Sequence, residues 1–218
     1  MDSITMTDQI RVAIAGYGNL GRSVEASLAQ NPDMELFCVF SRRDSASVTL
    51  LDQRVPVYAM ADVEQYQDEV DVMILCGSSK TDLPEQGPYL TQLFNTVDSF
   101  DTHEKVNEYF AALNDAAQKS GNIALLAVGW DPGLASLNRL FGETILAEVK
   151  TGTHSEQTIE CSLAVGSNLE FTASALVAYS RAVYRLARSG EIGAKTVFDV
   201  APGLLSPKSP AQLRKELL

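Results

Sequence analysis

The residues Gly16-Tyr17-Gly18-Asn19-Leu20-Gly21 fit the pattern GxGxxG. They follow a short apolar run, Ile10-Arg11-Val12-Ala13-Ile14-Ala15, and open a helix-like stretch. In that setting each glycine has a steric task. Gly16 permits the tight turn, Gly18 lets a pyrophosphate approach the backbone, and Gly21 lets the helix close on the strand. The free N–H groups and partial positive charge of the helix start suit phosphate. A site for NAD would carry an acid on the ribose about twenty residues further on. Here Ser41-Arg42-Arg43 occupies that place. A hydroxyl and two guanidinium groups bind a 2′-phosphate that a carboxylate would repel. NADP is therefore expected, although Asp44 could neutralise one arginine and tolerate NAD. Cys76-Gly77-Ser78-Ser79 ends a further apolar strand, and small residues there would let a dinucleotide pass.

Two more strand ends carry acids. Thr96-Val97-Asp98-Ser99-Phe100-Asp101 closes one, and Gly129-Trp130-Asp131-Pro132-Gly133 closes another. An aromatic wall from Trp130, with Asp101 and Asp131 beside it, would suit a substrate bearing an ammonium group. The competing reading makes Asp131 a helix N-cap with Pro132 in the first turn. His103 and His154 lack partners at catalytic spacing and are expected to be surface or structural residues. Cys38, Cys76 and Cys161 show no metal-ligand spacing and read as free thiols. No GxSxG, HExxH or Walker A pattern occurs.

These residues need strands to present them. Apolar runs predict strands over 10–15, 35–40, 56–58, 70–75, 96–99 and 123–128. Helices or helical turns are expected over 19–29, 62–67, 87–94 and 106–120. Regular alternation of this kind predicts a Rossmann-type, doubly wound parallel α/β sheet over residues 1–133. Beyond it, a helix is expected over 134–148, a polar turn region over 149–157 and a strand over 158–165. A long helix over 171–188 follows, with Leu176, Val183 and Leu186 as a core or dimer face, then a strand over 196–200. Residues 134–218 thus read as a short strand–helix–strand remnant of a second domain, packed back on the first.

The chain has 218 residues, 17 basic and 28 acidic, a net charge of −11. That balance argues against nucleic-acid binding, which needs a basic surface. No apolar run of about 18 residues occurs, so no membrane span is expected. Residues 1–8 lack the basic and apolar regions of a signal peptide. A cytoplasmic protein is expected.

Longer stretches resemble one family. VAIAGYGNLGRSVE, FSRR, LCGSSKTDLPEQGP, TVDSFDTHE, GWDPG and the C-terminal NLEFTASALVAYSRAVYRLARSGEIGAKTVFDVAPGLLSP are similar, in this order, to meso-diaminopimelate dehydrogenase. The resemblance implies an NADP-dependent homodimer that oxidises the D-configured centre of meso-diaminopimelate. The products would be ammonia and L-2-amino-6-oxopimelate, in equilibrium with tetrahydrodipicolinate, a reaction of lysine biosynthesis. By motif, Ser41, Arg42 and Arg43 would hold the 2′-phosphate. Asp101 and Asp131 would orient the ammonium, with Trp130 at its border. The family also implies a long central segment that builds the substrate and dimerisation domain. In this chain Ala147-Glu148-Val149-Lys150 runs almost directly into THSEQTIEC, and the groups that grip the far, L-configured end are absent with that segment. Glu156-Gln157 stands where the family has an Asn-His pair. Two readings result: a shortened dehydrogenase, or a non-catalytic NADP-binding protein.

Overall fold

The computed structural model describes residues 9–144, 160 and 162–218. Its centre is a seven-stranded parallel sheet in the order β3-β2-β1-β4-β5-β6-β7. The strands are β1 (Ile10–Ala15), β2 (Met34–Ser41), β3 (Val57–Ala59), β4 (Val72–Leu75), β5 (Thr96–Asp98), β6 (Ile123–Leu125) and β7 (Gly193–Lys195). The helices are α1 (Asn19–Leu28), α2 (Leu83–Thr91), α3 (Val106–Ser120), α4 (Ala135–Gly142), α5 (Asn168–Arg188) and α6 (Pro210–Leu217).

Strand side chains alternate between faces with a period of two. Ile10, Val12 and Ile14 of β1 join Val72, Ile74, Val97, Ile123 and Leu125 in one core, closed by Val24 and Leu28 of α1 and by Leu176, Val177 and Val183 of α5. Ala13, Ala15, Met73, Leu75 and Ala124 face the other core, with Leu83 and Leu90 of α2 and Tyr109 and Leu113 of α3. Both faces are covered, which explains why these strands are continuously apolar.

Arg181 of α5 is 1% exposed. Its guanidinium donates to Asp33 at 2.5 and 2.8 Å, to Asn31 Oδ1 at 2.8 Å and to the Leu205 carbonyl at 2.7 Å. It ties α5 to the turn between α1 and β2 and to the C-terminal segment.

Two expected strands change. The last strand is Gly193–Lys195, one element earlier than the expected 196–200, and it pairs in parallel with β6 as part of the main sheet. Val197–Asp199 is a 3₁₀ turn, closed by a capping box between Thr196 and Asp199. Residues 162–165, within the expected strand over 158–165, are not in a strand. Residues 145–159 and 161 lie outside the described residues. So do the end of the expected helix over 134–148, the polar stretch over 149–157, His154, Glu156, Gln157 and Cys161.

Replacing Arg181 with Met leaves Asp33 without its partner. Removing one member of a fully buried pair costs roughly 3–5 kcal/mol; Asp33 keeps 22% of its side chain exposed, so urea unfolding should show a loss toward the lower end of that range. Burial raises the Asp33 pKa, but the hydrogen bond and charge of Arg181 outweigh it and the net shift is below the ordinary 3.8. A lowered folded pKa gives stability that is present above the unfolded value and lost as pH falls through the folded one. Stability of the wild type should therefore drop more steeply below about pH 4 than that of Arg181→Met.

Candidate functional site

The sheet order reverses between β1 and β4, whose carboxyl ends flank the crevice where open α/β sheets bind ligands. Gly16 follows β1 with φ +94°, a conformation that favours glycine. A Cβ on Gly21 would collide with the Gly16 carbonyl oxygen, so α1 closes on the turn only as glycine allows. Gly18 is the N-cap of α1 and has no side-chain cap. A Cβ there would meet nothing within 4 Å, so open space lies over the helix start. This is the cradle that a pyrophosphate requires.

Beside it, Gly16, Tyr17, Gly18, Ser41, Arg42, Arg43, Cys76 and Gly77 line a cleft of about 270 Å³, with Asp82 and Gln86. Ser41 is buried, and its Oγ accepts the Arg43 N–H at 3.0 Å. The Arg43 guanidinium donates to the Tyr17 carbonyl. Arg42 pairs with Asp82 at 2.9 Å while its side chain stays 64% exposed. Asp44 does not neutralise an arginine among the described contacts. Its carboxylate accepts the Ala46 N–H at 3.1 Å and caps a short turn. Two guanidinium groups therefore border this end of the cleft, and these residues fit a phosphorylated dinucleotide.

A second cleft, of about 610 Å³, continues from the first. Cys76 and Gly77 line both. Leu20, Ser78, Ser79, Asp101, Trp130 and Asp131 line this one. Asn19 begins α1 beside it. A Cβ on Gly77 would lie 2.8 Å from the Asp82 Cβ, so this loop also needs its glycine. The Asp101 N–H donates to Ser79 Oγ at 3.1 Å. The Trp130 ring meets Phe171 edge-on at 6.1 Å.

Asp131 is not a helix cap. Asp131, Pro132 and Gly133 have non-helical backbone angles, and Gly133 takes φ +138°. The helix starts only after Leu134, as α4. The carboxylate is exposed at the cleft and is not spent on capping. The spacing of Leu176, Val183 and Leu186 favours core or dimer surface over a site role for the 171–188 helix. Its start also builds the site, because Asn168, Leu169 and Thr172 line the cleft. Lys80 lines it too. Residues so far apart in the chain leave no local signal of their convergence.

Asp98 is a further residue that the spacing did not single out. It is 1% exposed, and burial pushes its carboxyl up to about 6, against the pull of the Phe100 N–H, the Tyr109 hydroxyl and the Ala127 N–H. A raised folded value means that ionisation costs stability as pH rises from 3.8 to about 6. Burial likewise raises the Cys38 and Cys76 thiols to about 12, which makes both poor nucleophiles at neutral pH. His103 sits in an exposed turn.

No family model matches the chain. Curated relatives do. The meso-diaminopimelate D-dehydrogenase of Ureibacillus thermosphaericus is 40% identical over 96% of this chain and 99% of the relative, and that of Lysinibacillus sphaericus is 39% identical over the same shares. The chain belongs to the meso-diaminopimelate D-dehydrogenase family. Those alignments run over 325 and 324 positions, against 218 residues here, so these relatives carry about a hundred further positions. The structure of a substituted meso-dapdh from Clostridium tetani E88 with DAP gives a TM-score of 0.89 at 33% identity, over 96% of this chain and 100% of that one. An engineered D-amino acid dehydrogenase bound to NADP+ gives 0.87 at 29% identity, over 96% and 100%. The family consists of amino-acid dehydrogenases, oxidoreductases that use a nicotinamide cofactor.

Gly21→Ala should push α1 away from the turn. Overpacking of this kind costs about 1–3 kcal/mol. Calorimetric titration should show dinucleotide binding weakened by about tenfold or more, since a 1.4 kcal/mol loss is tenfold.

Proposed function

We propose that the chain is an NADP-dependent dehydrogenase acting on the D-configured centre of meso-2,6-diaminopimelate. The centre loses a hydride and its amino group leaves as ammonia after water adds. The product is L-2-amino-6-oxopimelate, in equilibrium with tetrahydrodipicolinate, in lysine biosynthesis. The single observation that carries the reading is the joined pair of clefts. Cys76 and Gly77 separate a dinucleotide cradle from a pocket lined by two carboxylates and the only tryptophan.

Gly16, Tyr17, Gly18, Asn19, Leu20 and Gly21 would hold the pyrophosphate, and Cys76, Gly77, Ser78 and Ser79 would flank the dinucleotide beyond it. Ser41, Arg42 and Arg43 would hold the 2′-phosphate. When bound, the nicotinamide supplies a two-electron hydride acceptor. Asp101 and Asp131 would orient the substrate ammonium through charge-assisted hydrogen bonds, and Trp130 would wall the pocket. Their work is positioning, which converts a bimolecular encounter into a held geometry. The non-catalytic reading is not kept, because a protein that only bound dinucleotide would have no use for the second cleft, and the similar proteins are named dehydrogenases. A homodimer in the cytoplasm is the assembly and place that the family resemblance supports. No described helix is long and apolar enough to cross a membrane. We read residues 1–133 as the cofactor domain and 134–218 as the shortened substrate region.

NADPH formation from meso-diaminopimelate tests the activity, and NADP binding with no turnover of any diamino acid overturns it. The missing positions predict a KM above that of the Ureibacillus relative with kcat changed less, as for lost uniform binding. Arg42→Ala combined with Arg43→Ala should weaken NADP by about tenfold or more, since each charge-assisted bond contributes roughly 1.5–3 kcal/mol. NAD affinity should stay level. Equal binding of the two cofactors before and after the change would refute the 2′-phosphate assignment.

A further inference from the structure

We infer that Asp98 is a positioning residue whose buried carboxylate sets the two loops that carry Asp101 and Trp130-Asp131 into the substrate cleft. This role rests on the activity proposed above, but its geometry stands apart from it. The backbone pairing of β5 with β6 runs Thr96 to Ala124 and Val97 to Leu125. Asp98 is the next residue, and its side chain and carbonyl continue the connection where that ladder ends. One carboxylate oxygen, Oδ1, accepts the Phe100 N–H at 2.9 Å and the Ala127 N–H at 3.3 Å. The Asp98 carbonyl accepts the Val128 N–H at 2.9 Å. Phe100 immediately precedes Asp101, and Ala127 and Val128 lead directly into Gly129-Trp130-Asp131. A single residue thus holds both arms of the cleft.

Ala127 sharpens the point. It is the one non-glycine residue with positive φ among the described residues, at +60°. Alanine holds that conformation only where its surroundings impose it. The bond from its N–H to Asp98 is such a constraint, and the turn it makes directs the chain toward Trp130.

The other oxygen, Oδ2, accepts the Tyr109 hydroxyl at 2.8 Å. Tyr109 stacks on Phe100 with ring centroids 4.2 Å apart. Its hydroxyl lies against Gly87 of α2, where a Cβ would collide with it. The tyrosine has little room to turn away, so it fixes the carboxylate from behind. Asp98 itself does not line the substrate cleft. A buried acid that costs stability when ionised, yet holds two site loops at once, is better explained by positioning than by strength of the core.

The single tryptophan makes the test direct, because all tryptophan emission comes from Trp130. Three full-length variants are compared: Asp98→Ala, Asp98→Asn and Tyr109→Phe. Emission wavelength and acrylamide quenching read the Trp130 loop without any turnover. Calorimetric titration reads NADP, and steady-state kinetics with meso-diaminopimelate read kcat and KM. Asp98→Ala should shift the emission, and its kcat should fall by about tenfold or more, as a small misplacement at the reacting centre can produce. NADP affinity should change less than about twofold, since the glycine turn lies on other strands. Asp98→Asn keeps an oxygen for the two N–H groups and should restore both emission and kcat. Tyr109→Phe should shift the emission in the same direction, but less. Unchanged emission in Asp98→Ala, or equal damage in Ala and Asn, overturns the proposal. If Asp98→Ala does not fold, unchanged emission in Tyr109→Phe overturns it. An inactive wild type would sink the proposed reaction alone, because the emission comparison would still decide the role of Asp98.

Discussion

Arg181 joins parts of the chain nearly 150 residues apart, and it anchors the helix whose apolar face closes one side of the sheet. Its bonds to Asp33, Asn31 and Leu205 draw α5 onto the face that α1 alone would leave half bare. With α5 in place, Ile14, Ile74, Val97 and Leu125 are fully buried, and an all-parallel sheet becomes tenable. The same helix carries Asn168, Leu169 and Thr172 to the second cleft. Core closure and site assembly are therefore one event. That coupling matters in a chain that has about a hundred positions fewer than its relatives. The late helix still seats on the cofactor-binding sheet because its anchors, Asn31 and Asp33, belong to the early part.

At the site, the work is divided among strand ends. The ends of β1 and β4 shape the dinucleotide cradle, the end of β2 supplies the arginines, and the ends of β5 and β6 bring the carboxylates. Parallel strands make this possible, because all their carboxyl ends emerge on one edge. Asp82 links two of these duties. It pairs with Arg42 and also accepts the Ser78 N–H at 2.9 Å, so the Ser41–Arg43 loop and the Cys76–Ser79 loop share one carboxylate.

Much of this was legible because it is local. GxGxxG after an apolar strand needs only neighbouring residues to act, and Ser41-Arg42-Arg43 stands at a distance set by one strand and one helix. The last strand was misplaced for an equally local reason. Gly193-Ala194-Lys195 carries no β-branched residue, while Thr196-Val197-Phe198-Asp199-Val200 looks like a strand. The capping box of Thr196 with Asp199 turns that segment into a 3₁₀ turn, and pairing with β6 recruits the weaker sequence instead. Asp131 was open to two readings because Asp-Pro is a good helix start. The non-helical backbone of Asp131, Pro132 and Gly133 excludes the cap. Asp98 was hidden because its partners lie 2, 11 and 29 residues away, and only the fold brings them together.

The net charge of −11 remains to be reconciled with a ligand that is itself strongly anionic. At physiological salt, charges are screened over about 8 Å, so the bulk of the acidic surface is too distant to oppose a phosphate strongly. What counts is the charge near the cleft. There the open start of α1 and Arg43 present positive ends, while Arg42 and Asp82 largely offset one another and Asp82 also accepts a backbone N–H. Asp44 is turned into its own cap. In the neighbouring cleft the sign reverses, with Asp101 and Asp131 left at its surface. Under the proposed function, the two adjoining clefts would sort an anionic cofactor from an ammonium-bearing substrate by local field, whatever the total charge of the chain.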